Sequence, residues 1–494
     1  MHLRVDCLII GSGFSGSLCA LVLKQLGFTA AVIDKAHHPR FAIGESSTPI
    51  ADMILRDLAA SYGLDKLAPL SAYGPWCDAY PELGVGPKRG FSYFFHQPNQ
   101  PFQPTDDHRN RLLVAASSSP YWCDTHWHRA DVDAFLAQCV READIPLLEG
   151  FELSHMRQNI PWVFEGLHEG LHCKISATFV LDASGAGGVL PNFLRLQETR
   201  DSMQTASTAT YTHFANLPRW DDVLNTLGGR TDEHPFPSDD AALHHVLNDG
   251  WLWMLRFRNG ITSVGLLTDH HRSAGPYGLT TWEMMLKRYP TLHALFGKAE
   301  IHTPPGQFFH SGRLQRGWAQ AAGTDWALLP HTAGFVDPLH STGIAHTLSG
   351  VERMMSLFAQ HGLSGDFTQG LQTYSQAIYA ERQLIDGLVS LCYTSLDHPK
   401  LFMASTMVYF ATVVHYEQRR VQHAGRSAFL HATDPEIAAL PTKAHTLLST
   451  TDPRNPTSVA DFAEQIEALI QPWNTVGLFH PPAPNMYHHT AARG

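Results

Sequence analysis

The chain has 494 residues, more than one typical hydrophobic core accommodates, which predicts two or three subdomains. A formal net charge of −11, with no local block of lysine and arginine, argues against a nucleic-acid partner. The seven cysteines form no C-x-x-C pair, and the N-terminus shows no secretory signal, which together predict reduced thiols in the cytoplasm.

The N-terminal stretch predicts a strand, a glycine turn and a helix. Val5–Ile10 is an apolar run of strand length, and residues 17–26 after the turn have helical apolar spacing. In the intervening G-S-G-F-S-G motif, Gly11 permits a tight turn, Gly13 lets the backbone approach a pyrophosphate, and Gly16 allows close packing of helix and strand. The helix N-terminus would then offer N–H groups and a positive dipole end to phosphates.

A second apolar run, Ala30–Ile33, ends in Asp34, at the distance where an acidic side chain accepts hydrogen bonds from a ribose. These features predict a dinucleotide site; a glycine-rich turn that serves only packing is the alternative. Because the motif opens the chain and is followed by Arg40 and the segment 44–49, FAD is favoured over NAD.

The remaining elements are predicted from periodicity and turn residues. Helices are expected at 51–67, 128–143 (entered through Asp131), 282–295, 347–360, 370–392, 401–414 and 458–470, the last with a capping box of Ser458 and Asp461. Strands are expected at 91–95, 147–152, 162–168, 171–175 and 179–182. Residues 97–120 are expected to form a loop or flap, and 205–270 antiparallel strands with a helical insert around 239–248.

No apolar stretch is long enough to span a bilayer, and the longest, 401–414, predicts a buried or substrate-facing helix. The 31 histidines show no metal-binding spacing on a clear helix, so no metal site is predicted. The pairs His37-His38, His244-His245 and His270-His271 are expected on the surface or in loops.

The segment Gly44-Glu45-Ser46-Ser47-Thr48-Pro49 resembles the G-E-S-x-x-P segment of the flavin-dependent halogenases, the tryptophan-halogenase-like branch of the FAD-dependent monooxygenase superfamily. Five further segments are similar to that family: Lys88 to Tyr93, Arg129 to Asp133, Val180 to Gly185, Trp251 to Arg256 and Ala333 to Ile344.

The resemblance implies roles for three of these segments. The amine of Lys88 would receive hypohalous acid made at the flavin, as a hydrogen-bonded acid or as a chloramine; a solvated lysine at a strand end is the alternative. Trp251 and Trp253, on one face of a strand, would keep the organic substrate away from the flavin, although core packing alone also explains them. Backbone N–H groups of the turn Ser341-Thr342-Gly343 would bind the halide.

The resemblance also implies flavin contacts, at Gly11, Gly13, Ser15, Gly16, Asp34, Lys35, Arg40, Gly44, Glu45, Ser46, Arg129, Asp182, Ser184, Gly185, His331, Gly334, Asp337, Gly343 and Ile344. The implied fold class is α/β, with a Rossmann-type FAD-binding domain, an inserted antiparallel-sheet substrate domain and a helical C-terminal part. The FAD-binding domain would span 1–350, interleaved with the substrate sheet at about 70–125 and 200–310, and the helical region would span 351–494.

One residue and two dipeptides depart from the family pattern. His340 stands where tryptophan-type members carry Glu, and a histidine can act as a base in its place. Pro330-His331 replaces a Gly-Asp pair that contacts the ribityl chain, and Leu255-Arg256 replaces Ile-Pro. The histidine at 340 disfavours free tryptophan and favours a more electron-rich substrate such as a phenol or pyrrole, whereas Pro330-His331 predicts loosely bound, exchangeable flavin or altered chemistry.

The sequence thus predicts a two-component halogenase that uses FADH2, O2 and chloride or bromide on a small aromatic, free or carrier-bound. No second glycine fingerprint for NAD(P)H occurs, so a separate NAD(P)H-dependent reductase would supply reduced flavin. A homodimer is one assembly that the sequence allows. The competing interpretations are an FAD monooxygenase or dehydrogenase on the same scaffold, and a non-catalytic flavin-binding protein.

Overall fold

The computed structural model describes residues 1–273, 275, 278–422 and 427–491. Its strands are β1 (His2–Ile10), β2 (Ala30–Ile33), β3 (Val85–Lys88), β4 (Gly90–Phe95), β5 (Arg111–Ala115), β6 (Asp124–Trp127), β7 (Leu147–Leu148), β8 (Glu152–Arg157), β9 (Trp162–His168), β10 (Leu171–Asp182), β11 (Ser207–Ala215), β12 (Ala242–Leu247), β13 (Gly250–Arg256), β14 (Thr262–Asp269), β15 (Glu300–Ile301), β16 (Phe309–His310), β17 (Arg316–Gly317), β18 (Trp326–Leu328), β19 (Gly334–Phe335) and β20 (Met486–Tyr487).

The α-helices are α1 (Phe14–Gln25), α2 (Pro49–Tyr62), α3 (Tyr73–Ala79), α4 (Arg129–Glu142), α5 (Val189–Leu194), α6 (Trp220–Thr226), α7 (Leu279–Arg288), α8 (Pro290–Phe296), α9 (Pro330–Ala333), α10 (Thr342–His361), α11 (Gly365–Thr394), α12 (Pro399–Val421), α13 (Pro435–Ala438), α14 (Leu440–Ser449) and α15 (Pro456–Ile470). Short 3₁₀ turns occupy Asp65–Ser71, Gly185–Gly187, Arg200–Ser202 and Phe429–His431.

The first sheet is a doubly wound sheet with a parallel centre. β1 lies between β2 and β10, all parallel, β7 extends the sheet beyond β2, and β18 pairs in parallel with the end of β10. β8 and β9 form an antiparallel meander against the first half of β10. Because parallel strands end at the same edge of a sheet, the turns after β1 and β10 meet there, where ligands bind in open α/β sheets.

The second sheet is predominantly antiparallel, in the order β15-β11-β14-β13-β12-β4-β5-β20, with β16 also paired to β11. Two of its junctions, β12 with β4 and β5 with β20, are parallel, so the inserted sheet is mixed and not purely antiparallel as predicted. The helices α10, α11 and α12 pack between the two sheets and bury a continuous apolar core. The Rossmann-type α/β fold class is confirmed by this topology.

Several local predictions are wrong for identifiable reasons. The expected helical insert at 239–248 is the strand β12, which is buried on both faces and therefore lacks the alternation that marks a half-exposed strand. His244 and His245 accordingly lie in the core. The expected loop at 97–120 contains β5, a fully buried strand paired with β4.

Other differences concern where elements begin and end. The strands expected at 171–175 and 179–182 are one strand, β10, and the helix expected at 282–295 is two, because Pro290 interrupts it after Tyr289. Helix α4 begins at Arg129, with Asp131 inside its first turn. The N-cap of α15 is Asn455, whose side chain accepts from the N–H groups of Thr457 and Ser458, so the predicted capping box is wrong.

Within the described ranges, no helix combines the length and apolar character needed to cross a bilayer. The segment 401–414 lies inside α12 and is buried throughout, as predicted. All seven cysteines are unpaired thiols. In the part of the chain that the structure describes, His, Cys, Asp and Glu side chains form no cluster arranged to hold a metal ion.

Candidate active site

The turn between β1 and α1 admits only glycine at two positions. Gly11 has φ +104°, and a Cβ there would lie 2.6 Å from the carbonyl oxygen of Ala183 at the end of β10. A Cβ on Gly16 would lie 1.9 Å from the carbonyl oxygen of Gly11. The close approach of α1 to the strand ends therefore depends on both glycines, as the motif predicts.

Four charged side chains surround this turn. Asp34 accepts hydrogen bonds from the N–H and the hydroxyl of Ser12, both at 2.8 Å, and Arg40 lies 3.3 Å from the same carboxylate. Burial opposes ionisation of Asp34, but these hydrogen bonds and Arg40 lower its pKa overall. A Cβ placed on Gly13 would lie 3.6 Å from a carboxylate oxygen of Asp133, 3.7 Å from a guanidinium nitrogen of Arg129 and 3.8 Å from one of Arg40. Two cations and one anion therefore face the turn where a pyrophosphate would approach.

Arg129 connects the turn to the segment after β2. Its guanidinium pairs with Asp133 at 2.8 Å and donates to the carbonyl oxygens of Ile43 and Gly44, each at 3.2 Å. Asp133 in turn accepts from the N–H of Phe14 at the start of α1. Ser15 is buried in the first turn of α1, whereas the side chain of Lys35 is exposed.

A large cavity of about 410 Å³ opens between the two sheets, and we call it the large cavity. Among its lining residues are Gly44, Glu45, Ser46, Tyr211, His244, Trp251, Trp253, Leu255, Arg316, His331, Ser341, Gly343 and Ile344. Its volume lies within the range of pockets that hold cofactors. The fold thus brings together predicted site residues that are up to 300 positions apart in the chain.

The tryptophan pair forms one wall of the large cavity. The ring centroids of Trp251 and Trp253 lie 6.1 Å apart, which confirms that spacing-two residues share a strand face. Leu255 also lines the cavity, while Arg256 points away and donates to Asp239. Of the two residues that depart from the family's Ile-Pro, only Leu255 therefore contributes to the cavity wall.

A buried hydrogen-bond chain holds this wall in place. The indole N–H of Trp251 donates to the hydroxyl of Tyr393 at 3.0 Å, and that hydroxyl donates to Asp337 at 2.7 Å. Ser207 donates to the same carboxylate at 2.8 Å. Burial raises the pKa of Asp337 to about 7, although the hydrogen bonds from Tyr393 and Ser207 lower it. Tyr393 lies on α11 and carries no sequence signal that could have predicted this role.

The predicted halide turn lies at the start of α10. Ser341 has φ +52° and ψ +29°, a left-handed conformation that non-glycine residues adopt rarely and that occurs often at functional sites. A Cβ on Gly343 would meet no atom within 4 Å, so the space beside the turn is open. Thr342 lines a small adjoining space with His331, Gly334 and Asp337. The positive end of the 20-residue helix α10 therefore faces the large cavity and this adjoining space.

Three predicted cofactor residues shape a turn instead of lining the large cavity. Asp182 is fully buried, and its two oxygens accept from the N–H groups of Ser184 and Leu190 at 2.8 and 2.7 Å. Gly185 has φ +59° and donates its N–H to Thr332. His331 packs on this turn, and burial and Arg316 hold its pKa well below the usual value, so its imidazole is neutral.

Lys88 is fully buried and does not line the large cavity. Its ammonium donates to the carbonyl oxygen of Ser47 at 2.6 Å, next to Ser46 of the cavity wall, and lies 4.1 Å from the centre of the Phe91 ring. Burial lowers the pKa of Lys88 to about 8, although Asp124 and Asp52 act in the opposite direction. The alternative of a solvated strand-end lysine is therefore wrong.

A second, small cavity of about 20 Å³ lies beyond Lys88, and we call it the small cavity. Its lining includes Thr48, Pro49, Phe91, Val114, Tyr409, Phe410, Val413, Val414, Glu417, Thr490 and Ala491. His244 of the large cavity and Phe91 of the small cavity have ring centroids 6.0 Å apart. One layer of rings thus separates the two spaces, with the amine of Lys88 against that layer.

His340 lies behind Tyr409, which lines the small cavity. Its ring stacks on Tyr409 with centroids 4.1 Å apart, and the Tyr409 hydroxyl donates to the His340 carbonyl at 2.9 Å. Burial lowers the pKa of His340 to about 3. The imidazole is therefore neutral near pH 7 and a weak base, which argues against the predicted role as a base.

The chain resembles a group of known proteins along most of its length. A family model described as tryptophan halogenase matches residues 121–399, more than half of the chain, and an NAD(P)-binding Rossmann-like domain model matches 9–83. Monodechloroaminopyrrolnitrin halogenase PrnC from Pseudomonas fluorescens is 26% identical over 410 residues, which cover 81% of this chain and 69% of that protein. Tetracycline 7-halogenase from Kitasatospora aureofaciens is 27% identical over 352 residues, 69% of this chain and 61% of that protein.

Solved structures share the fold. Halogenase PltM in complex with phloroglucinol and FAD superposes with a TM-score of 0.84 at 22% identity, covering 99% of this chain and 100% of that one. The flavin-dependent brominase Bmp2 superposes with a TM-score of 0.64 at 17% identity, covering 90% of this chain and 99% of that one.

Proposed function

The chain belongs to the tryptophan halogenase family, and on that premise we propose that it is a two-component flavin-dependent halogenase. It would use FADH2, O2 and chloride or bromide to halogenate an electron-rich aromatic compound of the phenol, pyrrole or indole type. A separate NAD(P)H-dependent reductase would supply the reduced flavin, since the described glycine motif accounts for one dinucleotide only. The free thiols, six of them buried, suit the reducing cytoplasm.

The residues present fit FAD. The glycine turn, with Arg40 and Arg129 beside it, suits the pyrophosphate, and the large cavity suits the flavin ring. Bound reduced FAD would supply the oxidising chemistry that converts halide and O2 into hypohalous acid. The first N–H groups of α10, at Thr342 and Gly343, would hold the halide, whereas the N–H of Ser341 already donates to the Pro338 carbonyl at 2.9 Å.

The observation that carries the proposal is the buried amine of Lys88 between the two cavities. With a pKa of about 8, roughly a tenth of this amine is neutral at pH 7 and therefore nucleophilic. In the chloramine route, the amine nitrogen bonds the halogen as the oxygen–halogen bond breaks, and one amine proton leaves with the hydroxide as water. The haloamine then transfers its halogen to the arene, and the arene's proton returns to the amine.

The rings of Phe91, Tyr409 and Phe410 give the small cavity an aromatic lining that suits an arene, but its volume of about 20 Å³ accommodates only a water molecule, so these side chains would have to move apart to admit the substrate. The tryptophan wall and His244 would keep this substrate from the flavin, while a small oxidant passes. A curated relative from Pseudomonas fluorescens is named as a chlorinase of a pyrrole-2-carbonyl peptidyl-carrier protein, 23% identical over 384 residues. Free and carrier-linked arenes both belong in the assay.

The test supplies the purified protein with FAD, a reductase, NADH, O2, bromide and a set of phenols, pyrroles and indoles. We expect brominated product from the wild type, and from Lys88→Ala no product but unchanged oxidation of reduced flavin. Lys298→Ala, which removes an exposed lysine, is the matched control and should behave as wild type. Brominated product from Lys88→Ala would refute the role of the amine, and hydroxylated product from the wild type would favour the monooxygenase alternative.

A further inference from the structure

Two buried aspartates lie beside Lys88, and the reaction outlined above does not use them. Asp52 is on α2 and Asp124 on β6, with only 6% and 3% of their surfaces exposed. One oxygen of each carboxyl, Oδ1 of Asp52 and Oδ2 of Asp124, is buried and receives no hydrogen bond from an N–H or hydroxyl donor. Buried carboxylate oxygens are expensive to leave without a donor, so this arrangement needs a physical explanation.

Two independent connections in the fold hold both aspartates in the neighbourhood of the amine. In the antiparallel pair of β3 and β6, Lys88 is directly opposite Asp124, which puts their side chains on the same face. The segment before α2 is fastened to β6, because Ser47 and Thr125 exchange hydrogen bonds, with the Ser47 N–H donating to the Thr125 carbonyl at 3.0 Å. The Ser47 carbonyl in turn accepts from Lys88.

The two carboxyl groups lie close enough to hydrogen-bond to each other once one of them carries a proton. Two ionised carboxylates within hydrogen-bonding distance of each other repel strongly, whereas a single proton between them satisfies both of the oxygens that lack a donor. Burial raises the pKa of Asp52 well above its usual value and that of Asp124 to about 6. Near neutral pH such a pair holds one proton and carries one negative charge.

We propose that Asp52 and Asp124 share one proton and act together as a positioning pair, whose single negative charge sets the protonation state of the Lys88 amine. This proposal rests on the halogenase function for its kinetic consequence. The pair does not touch the substrate or the flavin site; it acts through Lys88. Its charge favours the ammonium form, so it opposes the effect of burial and keeps a proton available on the nitrogen that meets the oxidised halogen.

Other ionisable groups lie around Lys88, and each differs from the aspartate pair in how it acts on the charge of the amine. Glu417, on α12, also raises the pKa of Lys88, but less than either aspartate. Arg56, on α2, lowers the pKa of both aspartates. His126 on β6 and His244 on β12 have pKa values lowered to about 3 by burial, so both are neutral and add no charge near pH 7.

A set of three variants tests the shared proton through the pH profile of halogenation. Asp52→Asn and Asp124→Asn each leave one carboxylate and a neutral partner. The limb of the pH–rate profile that we assign to Lys88, near pH 8, should therefore stay within about half a pH unit of its wild-type position. The double variant removes the charge, and the limb should move to lower pH by about one unit or more. Asp65→Asn, at an exposed aspartate, is the control.

If each single variant moved the Lys88 limb of the pH–rate profile by the same amount as the other, the two aspartates would act as independent charges. That result would overturn the proposal of a shared proton. An unmoved limb in the double variant would overturn the action on Lys88. Flavin oxidation, which does not need the amine, should be unchanged in all variants and reports that the fold is intact.

Infrared spectroscopy provides a test that needs neither activity nor the double variant. At pH 7, the wild-type-minus-variant difference spectra of Asp52→Asn and of Asp124→Asn should each contain one isotope-sensitive carbonyl stretch of a protonated carboxyl, and the difference spectrum of Asp65→Asn should not. Asp337, whose pKa burial raises to about 7, gives a band of its own, which is common to all four proteins and cancels in the difference. A missing carboxyl band in either aspartate difference spectrum would overturn the pair. Because this reading requires no product, failure of the pair and failure of the halogenase proposal remain distinguishable.

Discussion

Replacement of Tyr393 by Phe should destabilise the protein in a pH-dependent way. The Tyr393 hydroxyl accepts from Trp251 and donates to Asp337, so its removal leaves a buried N–H and a buried carboxyl each short of one partner. Asp337 is the titrating member, since burial raises its pKa to about 7. A hydrogen bond to an ionised carboxylate contributes about 1.5–3 kcal/mol, which corresponds to about one to two pKa units.

The sign follows from proton binding by the folded and unfolded states. In the wild type, folded Asp337 holds its proton more tightly than the unfolded chain, so stability from this group falls as pH rises from about 4 to about 7. Loss of the Tyr393 donor raises the folded pKa further, and the fall in stability then continues to higher pH. The stability difference between wild type and Tyr393→Phe should therefore grow by about 1.5–3 kcal/mol from slightly acidic to alkaline pH.

The assay is urea or thermal unfolding of both proteins across about pH 5.5 to 9, the range that brackets this titration. Tyr374→Phe is the matched control, because Tyr374 lies on the same helix and donates to the carbonyl of Leu328 at 2.9 Å, with no carboxylate involved. It should lose a constant amount of stability at every pH. A pH-independent difference for Tyr393→Phe would refute the coupling of Asp337 to the tryptophan wall.

Two further substitutions test the glycine turn and the role of His340. Gly16→Ala places a Cβ 1.9 Å from the Gly11 carbonyl oxygen, so FAD retention on gel filtration should fall at least tenfold. Gly365→Ala is the control, because its Cβ meets no atom within 4 Å, and this variant should bind FAD as the wild type does. Equal FAD binding by both variants would contradict the close-packed turn. His340→Gln should slow halogenation without moving any pH limb, because the pKa of His340 is lowered to about 3; a wild-type limb near pH 6–7 that this variant removes would restore the histidine as a base.

Local patterns were sufficient for the elements that depend on neighbours in the chain. Gly11 and Gly16 require a particular backbone path, and Ala30–Ile33 forms the predicted strand, because turn geometry and side-chain periodicity are set over a few residues. Trp251 and Trp253 likewise share a face because a strand repeats every two residues.

Only the tertiary structure decided which side chains meet and which environment each one has. The burial of His244 in a doubly covered strand, the stacking of His340 on Tyr409, and the meeting of Asp52 with Asp124 all join residues from separate elements. Sequence separation carries no information about such contacts, and a side chain's pKa follows from burial and partners and not from its type. The chain therefore specifies the nucleotide turn locally. The burial and the neighbouring charges that determine the pKa of Lys88, in contrast, exist only once the sheets and helices have packed around it.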